Sequence, residues 1–170
     1  MELKITNRDH FQGSASAPVE LVEYADFQCP YCSKAYYIIK QIREDLKDDL
    51  RFVFRNFPIP QLHVNAVHAA LAAEAAGKQG KFWEMHDLLF ENQEYLNDYN
   101  LWEYAEEINL DVSRFEADFT SKECFQKVQN DYDGGLEMGV QSTPAFFING
   151  ERYEGDWTTY EFISHLKSYV

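Results

Sequence analysis

Three cysteines, Cys29, Cys32 and Cys124, are all that 170 residues contain. That is too few for a disulfide-rich scaffold, and a chain of this length buries a core without such staples. Positive charge is also scarce: 15 lysines and arginines stand against 29 aspartates and glutamates, a net charge of −14. So acidic a chain lacks the basic surface that phosphate contacts need, and nucleic acid is not an expected partner. No apolar run approaches the roughly 18–20 residues that span a bilayer, so no membrane role is expected either. The opening stretch "MELKITNRDHFQGSASAP" lacks the apolar centre of a secretory signal. A cytoplasmic location is the expectation, with the mature part of a processed precursor as the alternative.

What is present is apolar and patterned. Hydrophobic residues make up 45% of the chain, enough to exclude disorder and to fill one domain. "VELVEYADF", Val19 to Phe27, follows a Gly/Ser/Ala/Pro stretch and reads as a strand. Ala35, Ile38, Ile39, Ile42 and Leu46 then recur at helical spacing. "LRFVFRNFP", Leu50 to Pro58, alternates apolar and polar residues and reads as a second strand. Strand, helix and strand in about forty residues make a βαβ unit, whose two strands should be parallel.

From about His63 to Gly139 the periodicity is helical, enough for five helices, with Gly77 placed as a C-cap. Strand patterning then returns. "PAFFINGERYEG" carries Asn149-Gly150 between two apolar runs, a hairpin signal. "TTYEFISHLKSYV" closes the chain as an amphipathic helix with Thr158 or Thr159 as its N-cap. The expected class is therefore α/β, a βαβ–ββα core at residues 13–60 and 140–170, split by a helical insertion at 61–139.

The chemistry concentrates in "CPYC". Cys29 stands where the first strand gives way to a helix, so unpaired backbone N–H groups and the positive end of the helix dipole face its sulfur. That favours the thiolate and places its pKa in the roughly 3.5–7.5 range of Cys-X-X-Cys motifs, against ~8.5 for a free cysteine. Pro30 suits the first helical turn, where a missing N–H costs nothing. Cys32 follows one turn on, shielded by the helix. In this reading an exposed Cys29 thiolate attacks a disulfide and Cys32 resolves the mixed intermediate. Half a zinc site and a structural bridge are the alternatives. Zinc needs two more ligands, and beyond Cys124 only five scattered histidines are available.

"APVELVEYADFQCPYCSKAYYIIKQI", "RFVFRNFP", "FWEMHDLLF" and "GVQSTPAFFING" together resemble the DsbA-like thioredoxin family over residues 13 to 168. The resemblance implies a thioredoxin-like fold and a protein thiol–disulfide oxidoreductase with no metal and no organic cofactor. It implies that Pro144 is cis and lies against the redox pair, and that Thr143 offers backbone groups to an extended substrate. Pro30 and Tyr31 would complete the substrate-facing turn. Glu23, six residues before Cys29, falls where the family carries a buried acid. Desolvation there would raise its pKa and let it exchange a proton with Cys32. Asp26 competes for that role, and Arg55 is a candidate ion-pair partner for the acid.

Protein or peptide thiols and disulfides are the implied substrates, with a redox partner protein or glutathione as electron partner. Strongly oxidising members carry Pro-His between the cysteines, where this chain has Pro30-Tyr31, so a less oxidising pair is expected. Cys-Pro-Tyr-Cys is also the glutaredoxin motif, which keeps a glutathione-coupled reductase open. A redox-inert protein-binding module on the same fold is the alternative outside enzymes. Cys124 reads as a small core residue and the histidines as helix or surface residues, His86 being packed. Trp83, Trp102 and Trp157 carry no assigned chemistry. The aromatic helices containing "FWEMHDLLFENQEYL" and "YNLWEYAEEI" are expected to wall an apolar groove beside the thiols.

Overall fold

The computed structural model describes residues 2–170. Five strands and seven helices follow in the order β1 (His10–Gly13), β2 (Val19–Ala25), α1 (Pro30–Leu46), β3 (Leu50–Asn56), α2 (Ala66–Gly77), α3 (Phe82–Glu91), α4 (Asp98–Glu107), α5 (Val112–Phe119), α6 (Lys122–Glu137), β4 (Ala145–Ile148), β5 (Glu151–Tyr153) and α7 (Tyr160–Lys167). The strands form one sheet in the order β1-β3-β2-β4-β5. β2 and β3 are parallel, joined by the α1 crossover, and the other pairings are antiparallel. The mixed sheet with helices on its faces is the expected α/β class and thioredoxin-like fold.

Burial follows the alternation of the central strand. Leu21 and Ala25 join the larger core with Ala35, Ile39 and Ile42 of α1, Phe52 and Phe54 of β3, and the apolar faces of α2, α3 and α5. Val22 and Tyr24 point the other way, into a smaller core with Val53, Phe57, Val140 and Phe147. Glu23 lies between Val22 and Tyr24, so the period of two puts it on the face that carries Leu21, Ala25 and α1. On the opposite face α6 comes very close to the sheet. A Cβ on Gly135 would sit 2.7 Å from Phe57 Cδ2, so only glycine admits that approach.

Several local expectations are corrected. The N-terminal stretch contains β1, an edge strand of four residues that pairs with β3. Gly13 is required at its end: its φ is +91°, and a Cβ there would lie 2.0 Å from the Leu50 carbonyl oxygen. Gly77 is not a left-handed C-cap. The reversal after α2 falls at Gly80, with φ +75°. Gly77 instead leaves room for the His10 ring, which stacks on Phe82 at 3.7 Å between centroids. Helix α2 begins at Ala66, so His63 lies in the loop before it. Thr159 has N-cap backbone geometry, but its hydroxyl donates to the Asp156 carbonyl rather than capping α7. The Asn149-Gly150 turn does join β4 to β5, with φ of +48° and +86°, as a primed two-residue turn requires.

Candidate active site

Cys29 is the N-cap of α1, in extended conformation at φ −74° and ψ 124°, and Pro30 opens the helix behind it. The turn is tied by Cys29 N–H donating to the Asp26 carbonyl at 3.1 Å and Ser33 N–H to the Cys29 carbonyl at 3.1 Å. Gln93, just beyond α3, donates its Nε2 to the carbonyls of Phe27, at 2.9 Å, and Cys29, at 2.7 Å. Of the expected aromatic wall, Phe90 packs on Phe27 at 4.9 Å between centroids, and Gln93 holds the backbone of the redox turn. Trp102 packs on Phe115 and Phe119, and Trp83 sits against Phe52 and Phe82.

All three cysteines are free thiols. Cys29 is only 5% exposed and Cys32 is fully buried, so the expectation of an exposed first thiol is corrected. Thr143 lies over Cys29, whose sulfur is 3.7 Å from the Thr143 carbonyl oxygen. The Thr143–Pro144 peptide bond is cis. Tyr31, by contrast, is exposed. The structure thus gathers Cys29, Pro30, Tyr31, Cys32, Thr143 and Pro144 at the N-terminus of α1, with Glu23 buried in the sheet beneath.

The electrostatics separate the two thiols. A hydrogen bond from the Cys32 thiol, aided by the Thr143 side chain and the N–H groups of Cys32 and Tyr31, brings the Cys29 pKa down to about 5. Burial, the hydrogen bond to Cys29 and the charges of Glu23 and Cys29 hold Cys32 well above the ordinary thiol range. Glu23 is 1% exposed, and its Oε1 has no hydrogen-bond partner. Burial, and then the Cys29 charge, raise its pKa to about 8.

Register places Arg55, and hydrogen bonds place Asp26. Parallel pairing sets Glu23 opposite Phe54 and Tyr24 opposite Arg55, so Arg55 projects from the other face of the sheet. There it grips Asp9 through Nε and Nη2, each at 2.8 Å, and donates to the Tyr24 hydroxyl. Asp26 is buried beside the pair, but its carboxylate accepts from Gln28 N–H, Ile59 N–H and His63 Nδ1. None of those bonds goes to a sulfur. His63, expected on a helix or the surface, therefore belongs to the surroundings of the thiols. Cys124 is 1% exposed, and burial raises its pKa. His86 packs among Phe27, Phe54 and Phe90, and burial lowers its pKa. Among the described residues no group of three or more His, Cys, Asp or Glu side chains is arranged to hold a metal ion.

The acidity of Cys29 has a kinetic signature. At pH 5.5 a thiol of pKa about 5 is roughly three-quarters ionised, against about 0.1% for a free cysteine of pKa ~8.5. Lower basicity reduces intrinsic nucleophilicity by roughly 25- to 55-fold at a Brønsted slope of 0.4–0.5. Iodoacetamide should therefore modify Cys29 about 15- to 30-fold faster than a model thiol at pH 5.5, and at a similar rate at pH 7. A plot of alkylation rate against pH should have its midpoint near 5; a midpoint near 8.5 would contradict the assignment of the charge to Cys29.

The comparison with known proteins agrees with this geometry. A family profile described as thioredoxin matches residues 6–168. The chain belongs to the thioredoxin family. Its fold matches DsbA-like members: BdbD from Bacillus subtilis superposes with a TM-score of 0.84 at 25% identity, over 95% of this chain and 92% of that one. A thioredoxin-like oxidoreductase from Silicibacter pomeroyi gives 0.82 at 24% identity, over 97% and 95%. The curated relatives are longer. A Na(+)/H(+) antiporter NhaA 1 of Salinispora arenicola is 42% identical over 151 residues, 89% of this chain but 23% of that protein. Its counterpart in Mycolicibacterium vanbaalenii is 39% identical over 164 residues, 95% of this chain and 27% of that protein. The chain thus spans about a quarter of the length of the curated relatives it matches. Among the described residues, this thioredoxin-family chain has no helix long and apolar enough to cross a membrane.

Proposed function

We propose that the chain is a protein thiol–disulfide oxidoreductase that exchanges its Cys29–Cys32 dithiol with disulfides of polypeptide substrates. The observation that carries this is Cys29 at the N-terminus of α1 against Thr143, with a fully buried Cys32 one turn on in the same helix. In the reducing direction the Cys29 thiolate attacks a substrate disulfide, forming one S–S bond and expelling one substrate thiolate. Cys32 gives its proton to Glu23, through the minor fraction of that acid that is ionised at neutral pH, and attacks Cys29 Sγ. The second substrate thiolate leaves and is protonated by solvent, so two electrons pass from the pair to the substrate. The oxidising direction reverses each step.

Thr143, joined to Pro144 by a cis bond, borders the sulfur that reacts, and in this reading supplies main-chain groups for an extended substrate strand. Pro30 and exposed Tyr31 line the same turn, while exposed Leu62 and Val64 flank His63 of the neighbouring loop. Such apolar surface around a thiolate favours a polypeptide over glutathione as substrate. Electrons are then exchanged with a redox partner protein or the glutathione pool.

Cys32→Ser provides the test. With a disulfide-bonded peptide it should accumulate a mixed disulfide through Cys29, visible by mass spectrometry and released by added thiol. Absence of that adduct, under conditions in which the unchanged protein also leaves the peptide oxidised, would sink the reading. Turnover that requires glutathione would move the assignment to the glutaredoxin-like alternative.

A further inference from the structure

Asp26 touches the redox turn with its backbone and its supports with its side chain. Its N–H lies 3.5 Å from Cys32 Sγ, and its carbonyl accepts Cys29 N–H at 3.1 Å. Its carboxylate, with no exposed side-chain surface, accepts from Gln28 N–H at 2.8 Å through Oδ1. Oδ2 accepts from Ile59 N–H at 2.9 Å and from His63 Nδ1 at 2.9 Å. Gln28 extends the brace, since its Oε1 accepts Asn65 N–H at 2.8 Å just before α2. Two stretches far apart in sequence, residues 26–32 and 59–65, are thereby joined through one buried carboxylate.

Cys32 meets an unmet demand during exchange. Whichever way electrons run it passes through a thiolate, as attacking group in one direction and leaving group in the other. That anion forms in a fully buried position, next to an acidic side chain, where a negative charge lacking an N–H donor is costly. We infer that Asp26 is a positioning residue for Cys32: pinned by His63 and the Ile59 amide, it keeps its own N–H aimed at Cys32 Sγ and so stabilises the transient Cys32 thiolate. His63 acts one step further out by holding the Asp26 carboxylate. Its side chain remains 18% exposed, so it can be altered without opening the core. This inference rests on the exchange reaction proposed above and adds the residues that serve its second step. The Asp26 carboxylate carries no proton in this step; the proton of Cys32 still goes to Glu23.

His63→Ala separates this role from general support. Attack by Cys29 is read as the rate of glutathionylation of Cys32→Ser by glutathione disulfide, with and without His63→Ala. Resolution is read as release of glutathione from the mixed disulfide when Cys32 is present. The expected result is an unchanged first step and a resolution step slowed about tenfold, part of the worth of a hydrogen bond to a charged group. His63→Asn, which retains a side-chain N–H donor, should restore resolution to within about twofold of the unchanged protein. Equal slowing of both steps, or of neither, would overturn the inference. A second readout needs no turnover: in Cys29→Ser, the Cys32 Cβ carbon shift followed by NMR should titrate about one pH unit higher when His63→Ala is added. An unmoved midpoint would overturn the inference even if the protein proved inactive, whereas inactivity with a moved midpoint would overturn only the proposed function.

Discussion

Cys29→Ser is expected to reduce thiol–disulfide exchange to the rate of a protein-free blank. A serine oxygen forms no S–S bond, so the two-electron transfer has no covalent path even if every other contact is kept. Cys32 cannot replace it. Its sulfur is fully buried, and burial with the neighbouring acid holds it protonated at neutral pH. The defect should be specific: Cys29 is the N-cap of α1, and serine is a favoured N-cap residue, so the helix start is kept on substitution. Reduction of a disulfide-bonded protein by the variant, followed by turbidity or fluorescence, measures the effect. Residual exchange above about a tenth of the original rate would show that another thiol carries the reaction, and Cys124 would be the one left to examine.

Asp131→Ala should lower stability by about 3–5 kcal/mol, the cost of breaking a buried charge pair. Asp131 Oδ2 accepts from Asn56 N–H at 3.0 Å, Asn56 Nδ2 at 2.9 Å and Lys127 Nζ at 2.7 Å. Removing it strands two buried donors of Asn56 and leaves Lys127 with Glu74 at 3.4 Å, itself already held by His10 at 2.7 Å. For a chain of this size that loss corresponds to a fall of roughly 6–20 °C in Tm. Asp131→Asn, which can still accept from the Asn56 amide, should cost less. A Tm within about 2 °C of the unchanged protein would show that water replaces the carboxylate. Because Asn56 pairs with Ala25 in the parallel register, the damage falls at the strand ends just before the redox turn.

The elements that carry regular patterns were legible in the sequence. β2, α1 and β3 declare themselves through alternation and helical spacing, the helices between β3 and β4 through apolar periodicity, and the β4–β5 turn through Asn149-Gly150. The Cys-Pro-Tyr-Cys spacing likewise sets both thiols at the first turn of α1. β1 was not legible, because four residues of mixed polarity at a sheet edge acquire their structure from pairing with β3. Arg55 was assigned to the wrong acid because its side is decided by inter-strand register, which a single strand does not reveal. Asp26 and His63 are 37 residues apart, and neither lies in a motif. Only the approach of two loops makes them neighbours. Their one signal was Asp26 itself, an acid three residues before Cys29.

The crossing of the Cys29 and Glu23 acidities has a consequence for how the protein counts protons. In an unfolded chain near neutrality the thiol keeps its proton and the carboxyl has lost it. In the folded dithiol form the thiol, at about 5, has lost it, and the carboxyl, at about 8, keeps it. Between those values folding relocates one proton from sulfur to oxygen without taking any up. The sign of each contribution follows. Cys29, lowered, adds stability as pH rises from about 5 toward 9; Glu23, raised, loses stability as pH rises from 4.5 through about 8. Over the shared window the two slopes oppose one another, and this pair contributes almost no net pH dependence to the dithiol form. Joining the thiols in a disulfide removes the first slope and leaves the second. The oxidised chain alone then grows less stable as the medium turns alkaline.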